Sequence, residues 1–418
     1  MDKLKVGIIG VGNMGSAHAK NIYEGRVEHM TLASLCDIDA EKRRRCAEFW
    51  PDVPVFEDAG SLLASGLVDA VIIATPHYFH PPLAVDAFRA GCHVLTEKPA
   101  GVALSAARRM VDAARASGRV FGIMFNQRTD PLFARAREMV ASGELGQPKR
   151  LTWIITNWYR TQGYYNSGSW RATWAGEGGG VLLNQAPHNL DIWQWIFGMP
   201  ESVRAFCSVG RYHHIEVEDE ATIYARYANG ASATFITSTG EFPGTNRLEI
   251  VGDRAKLVLE GGKLCRWRLE RPEREFCFVS ERNFDKIPMQ YDEFVPECKG
   301  AGHVGILENF ARGVLYGEPL LAPGEDGLCE LALSNAAYLS SWLDREVTLP
   351  PDTDAFDAEL AARIAASEAE HADVAGKDGN DTKNGDAGKS GQTAGQAAGR
   401  RTEPTSPADY SERWHVNW

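Results

Sequence analysis

Short apolar runs rich in β-branched residues alternate with longer amphipathic segments over the first third of the chain. This rhythm predicts βαβ units around a mostly parallel sheet. Strands are expected at residues 5–9, 31–36, 70–74, 93–96 and 120–125, with helices at 16–23, 40–49, 82–90 and 105–116. After a further helix at 131–142 the pattern turns antiparallel: 150–158 reads as a long strand, and 203–269 holds several more between glycine-containing turns. Residues 222–227 and 233–237 flank Asn229-Gly230, whose tolerance of positive φ predicts a two-residue hairpin turn. Helical patterns at 306–315 and 327–343 are long enough to cover one face of that second sheet or to return to the first domain.

Past residue 350 the pattern changes again. Phe356, Leu360 and Ile364 recur at four-residue spacing behind an Asp or Thr cap, so 351–371 is expected as a helix. The stretch 372–409 has almost no large apolar side chain and reads as a disordered acidic linker, because it has too little to bury against chain entropy. The last segment, 410–418, is aromatic again, with Tyr410, Trp414 and Trp418; it is either a solvated end or a peptide that docks back on the protein.

Composition narrows the partners. The chain has 418 residues, 44% hydrophobic and 24% charged, enough for two packed domains and an extra segment. Its formal charge is −12, but thirteen acidic and seven basic residues beyond position 350 carry half of that. The body is therefore only mildly acidic, and no bulk field draws nucleic acid or an anionic membrane to it. Eight scattered cysteines without a Cys-x-x-Cys pair, and no cluster at metal-ligand spacing, read as reduced thiols in a cytoplasmic protein that uses no metal. No signal segment precedes the first expected strand, and no apolar run approaches the roughly 20 residues of a membrane helix. A small molecule is the expected partner.

The first strand leads into Gly10-Val11-Gly12-Asn13-Met14-Gly15. Gly10 permits a tight turn, Gly12 lets the backbone approach a pyrophosphate, and Gly15 allows close helix packing, with the helix N-terminus at Asn13 and Met14 facing the anion. Asp37 ends the next strand 22 residues after Gly15, where a carboxylate accepts hydrogen bonds from the ribose hydroxyls and repels a 2′-phosphate. NAD is therefore expected, with Arg43-Arg44-Arg45 keeping NADP open as an alternative. Together these features predict an α/β Rossmann dinucleotide-binding domain at 1–128, followed by an α+β domain with a large, mostly antiparallel open sheet at 129–350. Thr75, Pro76 and His80, after the strand at 70–74, and Asn126, after the last strand of the first sheet, fall at the strand C-termini that line the ligand crevice. Glu97-Lys98-Pro99 opens on the same edge, where burial and a cationic ring nearby would lower the pKa of Lys98.

A second constellation is Gly178-Gly179-Gly180, then Asn184, Pro187, His188 and Asp191. The glycines let the backbone pass close to a ligand. A helix beginning before Pro187 would put Asn184 and His188 on one face, whereas a helix beginning at Pro187 would leave Asn184 outside it. Gln127, Arg128, Tyr159, Arg160, Arg171 and Trp174 supply planar polar groups and aromatic faces of the kind that bind pyranose rings and vicinal hydroxyls. Trp153 and Trp193 are expected in the core.

The glycine motif, Glu97-Lys98-Pro99 and the Gly-Gly-x-Leu…His…Asp run together resemble the glucose-fructose oxidoreductase, inositol dehydrogenase and rhizopine-catabolism (Gfo/Idh/MocA) family over about residues 3–350. Within it the wording is similar to a subgroup near levoglucosan dehydrogenase and sugar C3-oxidising relatives. The resemblance implies an NAD(P)-dependent dehydrogenase acting on sugars or cyclitols, with Lys98 and His188 as the catalytic pair and Glu97 at the cofactor. His188 would take the hydroxyl proton while Lys98 orients and polarises the reacting oxygen. Position 184, Asp in many members, is Asn here, and an amide cannot relay a proton. Two other readings stay open: glycoside cleavage through transient C3 oxidation, and a non-catalytic dinucleotide-binding regulator. The open sheet face predicts a homodimer or homotetramer.

Overall fold

A computed structural model describes residues 3–168 and 170–381. The first sheet holds β1 (Leu4–Ile9), β2 (Met30–Cys36), β3 (Val55–Phe56), β4 (Ala70–Ile73), β5 (His93–Thr96) and β6 (Phe121–Ile123) in the order β3-β2-β1-β4-β5-β6. Every neighbouring pair is parallel. All four residues of β4 are buried, as its unbroken Ala-Val-Ile-Ile run requires of a strand covered on both faces. β3 escaped the sequence reading because two half-buried residues at a sheet edge show no periodicity.

The second sheet comprises β7 (Pro148–Ile155), β8 (Ser202–Val209), β9 (Glu218–Arg226), β10 (Ser232–Ser238), β11 (Asn246–Gly252), β12 (Ala255–Glu260), β13 (Lys263–Leu269), β14 (Met289–Phe294) and β15 (Val347–Thr348). Their order is β14-β13-β12-β11-β7-β10-β9-β8-β15, antiparallel except where β7 meets β10. Trp153 of β7 and Phe235 of β10 face inward, and Trp193 from the helix Pro187–Phe197 stacks on Phe235 with centroids 5.8 Å apart. Both tryptophans are fully buried, as expected. The opposite face carries exposed Phe206 and Tyr224 and half-buried Ile236.

Two expectations about connections are corrected. The β9–β10 hairpin pairs Tyr227 N–H with Ala231 O, so its loop is Ala228-Asn229-Gly230, three residues and not two. Only Gly230 takes positive φ (+85°), while the Asn229 side chain caps Ala231 N–H. The C-terminal helix, capped by Asp352, spans Thr353–Asp381 and so runs past residue 371, where a linker was expected to begin. Phe356 anchors it by stacking on Trp342, and Asp357 accepts from Ser105 Oγ at 2.8 Å. The remainder of the linker and the aromatic 410–418 segment lie outside the described residues.

The helix Gly327–Trp342 returns to the first domain. Its buried Asn335 accepts from Leu104 N–H and donates to Val102 O, both at 2.9 Å. This tie fixes the second domain over the C-terminal edge of the parallel sheet. Among the described residues no helix is long and apolar enough to cross a membrane.

Candidate active site

The turn after β1 forms a cradle whose three glycines differ in kind. At Gly10 (φ +92°) an added Cβ would stand 2.7 Å from the Ala74 carbonyl oxygen, and at Gly15 it would stand 1.9 Å from the Gly10 oxygen. At Gly12 it would meet nothing within 4 Å. Gly10 and Gly15 are thus glycine for the fold, and Gly12 for what lies against it. The helix Asn13–Tyr23 begins there, and its first-turn N–H groups are left for an anion. Gly12→Ala is accordingly expected to leave Tm nearly unchanged and to weaken NADH binding about tenfold or more, measured by fluorescence titration. Gly15→Ala should lower Tm itself.

Asp37, buried at the end of β2, accepts from Val11 N–H at 2.8 Å and from Asp39 N–H at 3.0 Å, which hold its carboxylate beside the cradle. The arginines nearby are engaged elsewhere. Arg43 donates to Asp37 O and Ile38 O, and Arg44 and Arg45 pair with Glu41 on the helix Ala40–Phe49. Thr75 Oγ1 and Asn126 Oδ1 are buried without a protein partner at the crevice edge. An open glycine, a placed carboxylate and two orphaned polar atoms fit a dinucleotide. Pro76 follows Thr75 into the turn His77–Phe79. His80 is corrected from a cofactor contact to a brace: its two ring nitrogens meet Pro99 O at 2.8 Å and Thr75 O at 2.7 Å.

Behind the cradle lies a buried charged cluster. Glu97 at the end of β5 meets His18 Nε2 at 2.7 Å, and the His18 ring lies 5.6 Å from that of His303. Burial opposes ionisation of Glu97, but the His18 hydrogen bond and the charges of His18, His303 and Lys98 outweigh it and hold the carboxyl at about 2. Lys98 Nζ donates to the Asn184 backbone oxygen at 2.7 Å. Burial lowers its pKa, opposed by Glu97, Glu330 and Glu177. His188, 2% exposed, is pushed well below the usual imidazole range by burial and by the Lys98 and His303 charges. An imidazole whose pKa is held down near a lysine is an arrangement that can accept a proton while the lysine, when protonated, stabilises developing negative charge.

The helix carrying His188 starts at Pro187, with proline in its first turn, so Asn184 precedes it and shares no helical face with His188. Asn184 reaches the site through its backbone oxygen and its side chain, which donates to Glu177 Oε1 and, at 3.2 Å, to the Tyr164 hydroxyl. Arg171 lies over the Tyr164 ring and donates to the same hydroxyl at 2.8 Å. Arg160 lies over the rings of Trp158 and Tyr164. Tyr159 is half-exposed against Phe242, and Gln127 accepts from Asn189 at 3.4 Å. The structure therefore gathers Asn184, Arg160 and Arg171 around Tyr164, with Glu177 behind the Asn184 amide and Lys98 on the Asn184 backbone oxygen, while the Lys98 charge reaches His188.

Three expectations do not hold here. Arg128 is 2% exposed and held by the protein: Nε and NH2 donate to Asp191 at 2.8 and 2.5 Å, NH1 to Asp326 at 2.6 Å and to Leu321 O. Four of its five N–H donors are thus engaged within the protein. Trp174 is a core residue, packed edge-on against Tyr338 and Trp342. Gly178, Gly179 and Gly180 make room for the protein and not for a ligand, since added Cβ atoms would strike Val102, the Tyr338 hydroxyl and the Glu218 oxygen. Sequence reasoning missed His18, three residues after Gly15, His303 at the start of Gly302–Tyr316, and Glu177 just ahead of the glycine run. It also missed Glu330, buried with both carboxyl oxygens unpartnered, its pKa pushed well above the usual carboxyl range by burial and by Asp191.

The parallel sheet and glycine cradle define a dinucleotide-binding fold. Comparison with known proteins makes this specific. The oxidoreductase family model with an NAD-binding Rossmann fold matches residues 4–125, and the GFO/IDH/MocA C-terminal domain model matches residues 133–258. Myo-inositol 2-dehydrogenase of Thermotoga maritima is 25% identical over 354 residues, 83% of this chain and 98% of that protein. D-glucoside 3-dehydrogenase of Escherichia coli is 30% identical over 47% of this chain and 54% of its own length. The crystal structure of the WlbA dehydrogenase from Bordetella pertussis, in complex with NADH and UDP-GlcNAcA, superposes with a TM-score of 0.70 at 25% identity, covering 84% of this chain and all of that one. The chain belongs to the GFO/IDH/MocA oxidoreductase family. It is an NAD(P)-dependent dehydrogenase with a Rossmann NAD-binding domain.

Proposed function

We propose that the protein oxidises a secondary hydroxyl of a pyranose, glycoside or cyclitol, with NAD as the cofactor. The observation that carries this reading is that half-buried Lys98, just after β5, depresses the pKa of buried His188 and donates to the Asn184 backbone oxygen, with Asn184 in turn tied to Tyr164, Arg160 and Arg171. Gly12, Asn13, Met14, Asp37, Thr75 and Asn126 would hold the dinucleotide, with Glu97 beneath it. When bound, NAD supplies the acceptor for the hydride that leaves the substrate carbon. A ring nitrogen of neutral His188 takes the hydroxyl proton, and the Lys98 ammonium orients that hydroxyl and steadies the oxygen as it becomes a carbonyl. The arginines and the Asn184 amide hold the remaining hydroxyls, as neutral, hydroxyl-rich ligands require.

Relatives named for inositol and for glucosides support a sugar or cyclitol substrate. The open face of the second sheet, with Phe206, Tyr224 and Ile236 set among paired charges, supports assembly into a homodimer or homotetramer, and the free cysteines a cytoplasmic site of action. The test is a panel of sugars, glycosides and inositols with NAD and with NADP, followed by nicotinamide absorbance. Reduction of NAD by a subset of these polyols is expected. A signal with NADP alone would overturn the role given to Asp37, and sugar release without net NADH would replace simple oxidation by cleavage through a transient ketone.

A further inference from the structure

Glu177 has no part in the chemistry so far, yet three separate contacts converge on it. Its side chain is 2% exposed. One carboxylate oxygen, Oε1, accepts from the Asn184 side-chain amide and lies 3.9 Å from Arg171 NH1. The other, Oε2, accepts from Ala172 N–H at 2.6 Å. Ala172 has φ +60°, a left-handed conformation that a residue with a Cβ rarely adopts, and it is the residue between Arg171 and the loop leading to the glycine run. A carboxylate can only accept, so the amide of Asn184 must turn its nitrogen toward Glu177. Its second N–H goes to the Tyr164 hydroxyl. Both amide hydrogens are then occupied, which leaves Oδ1 as the acceptor of this side chain.

We propose that Glu177 is a positioning residue that fixes the Asn184 amide with Oδ1 presented as an acceptor, so that the site selects a substrate carrying a hydroxyl donor beside the reacting carbon. This rests on the polyol dehydrogenase reading above. The negative charge sits one hydrogen bond behind position 184, and the atom that meets the substrate is neutral. An amide oxygen so fixed reads the hydroxyl as a donor and leaves proton removal to His188. A substrate lacking that hydroxyl would leave Oδ1 unpaired in a water-poor pocket, a difference that hydrogen-bonding sites discriminate strongly.

The test is a charge swap read by kinetics and by thermal unfolding. Glu177→Gln is expected to raise KM about tenfold with a smaller fall in kcat, because binding orientation and not the chemical step is lost. Asn184→Asp sets two carboxylates against each other and should lower both Tm and kcat/KM by more. In the double variant the amide introduced at position 177 can donate to the carboxylate introduced at position 184, so both Tm and kcat/KM should recover relative to Asn184→Asp. The preference for a substrate over its neighbouring deoxy analogue should fall in Glu177→Gln. Additive losses in the double variant, or an unchanged preference in Glu177→Gln, would overturn the proposal. If the wild-type protein oxidised no polyol, the functional reading would fail and the substrate-facing role with it, while Tm recovery in the double variant would still report the Glu177–Asn184 link.

Discussion

Replacement of Lys98 by methionine is expected to lower kcat by about a thousandfold, the loss typical of removing a placed group that stabilises developing charge in a dry site. Methionine keeps the length and apolar stem of lysine while removing the ammonium that donates to the Asn184 oxygen and depresses the His188 pKa. NADH affinity, read by fluorescence titration, should change little, because the cradle at Gly10–Gly15 and Asp37 is untouched. His188→Ala should bring a loss of similar size. The two act on one hydroxyl, one taking its proton and the other steadying its oxygen, so the double variant should fall little below either single variant. Multiplicative losses would show two independent contributions. Turnover within about tenfold of wild type in both single variants would remove the pair from the chemistry.

Why Lys98 and His188 were singled out in the sequence, and Glu177 and His303 were not, follows from how each is placed. Lys98 and His188 sit inside motifs with local grammar: a strand followed by Glu-Lys-Pro, and a glycine run followed by a proline-started helix. The glycine cradle was readable for the same reason, since strand, turn and helix are contiguous there. His303 is 285 positions from His18 and is brought to it only when the helix Gly302–Tyr316 returns to the first sheet. Arg128 shows the converse failure. An Arg beside Asn and Gln after the last parallel strand has substrate-binding chemistry in the abstract, but its partners Asp191 and Asp326 are remote in sequence, so nothing local showed that its donors were already engaged. Strand number and order in the second sheet lay between these cases: alternation marked β9 and β10, whereas the two-residue β15 and the exposed edge strand β14 had no periodic burial to reveal them.

Arg128 therefore carries a prediction about stability and not about substrate. It joins the turn after β6 to the His188 helix through Asp191 and to the start of Gly327–Trp342 through Asp326. Arg128→Met leaves Asp191, 1% exposed, as a buried carboxyl without its counter-ion, and such a break is expected to cost about 3–5 kcal/mol. Tm should fall on the order of 10 °C, measured on the NAD-free protein so that ligand binding does not mask the loss. Burial already raises the Asp191 carboxyl, with Arg128 opposing, and removal of that opposition raises it further. A raised folded pKa adds stability at low pH and forfeits it as pH rises, so the deficit should be larger at about pH 8 than at about pH 5. Arg128→Met combined with Asp191→Leu removes both charges and should recover much of the Tm, because an apolar pair no longer leaves an unpaired ion. KM of the folded enzyme should stay near wild type in that double variant. A tenfold or greater rise in KM with Tm unchanged in Arg128→Met would instead return this guanidinium to the substrate.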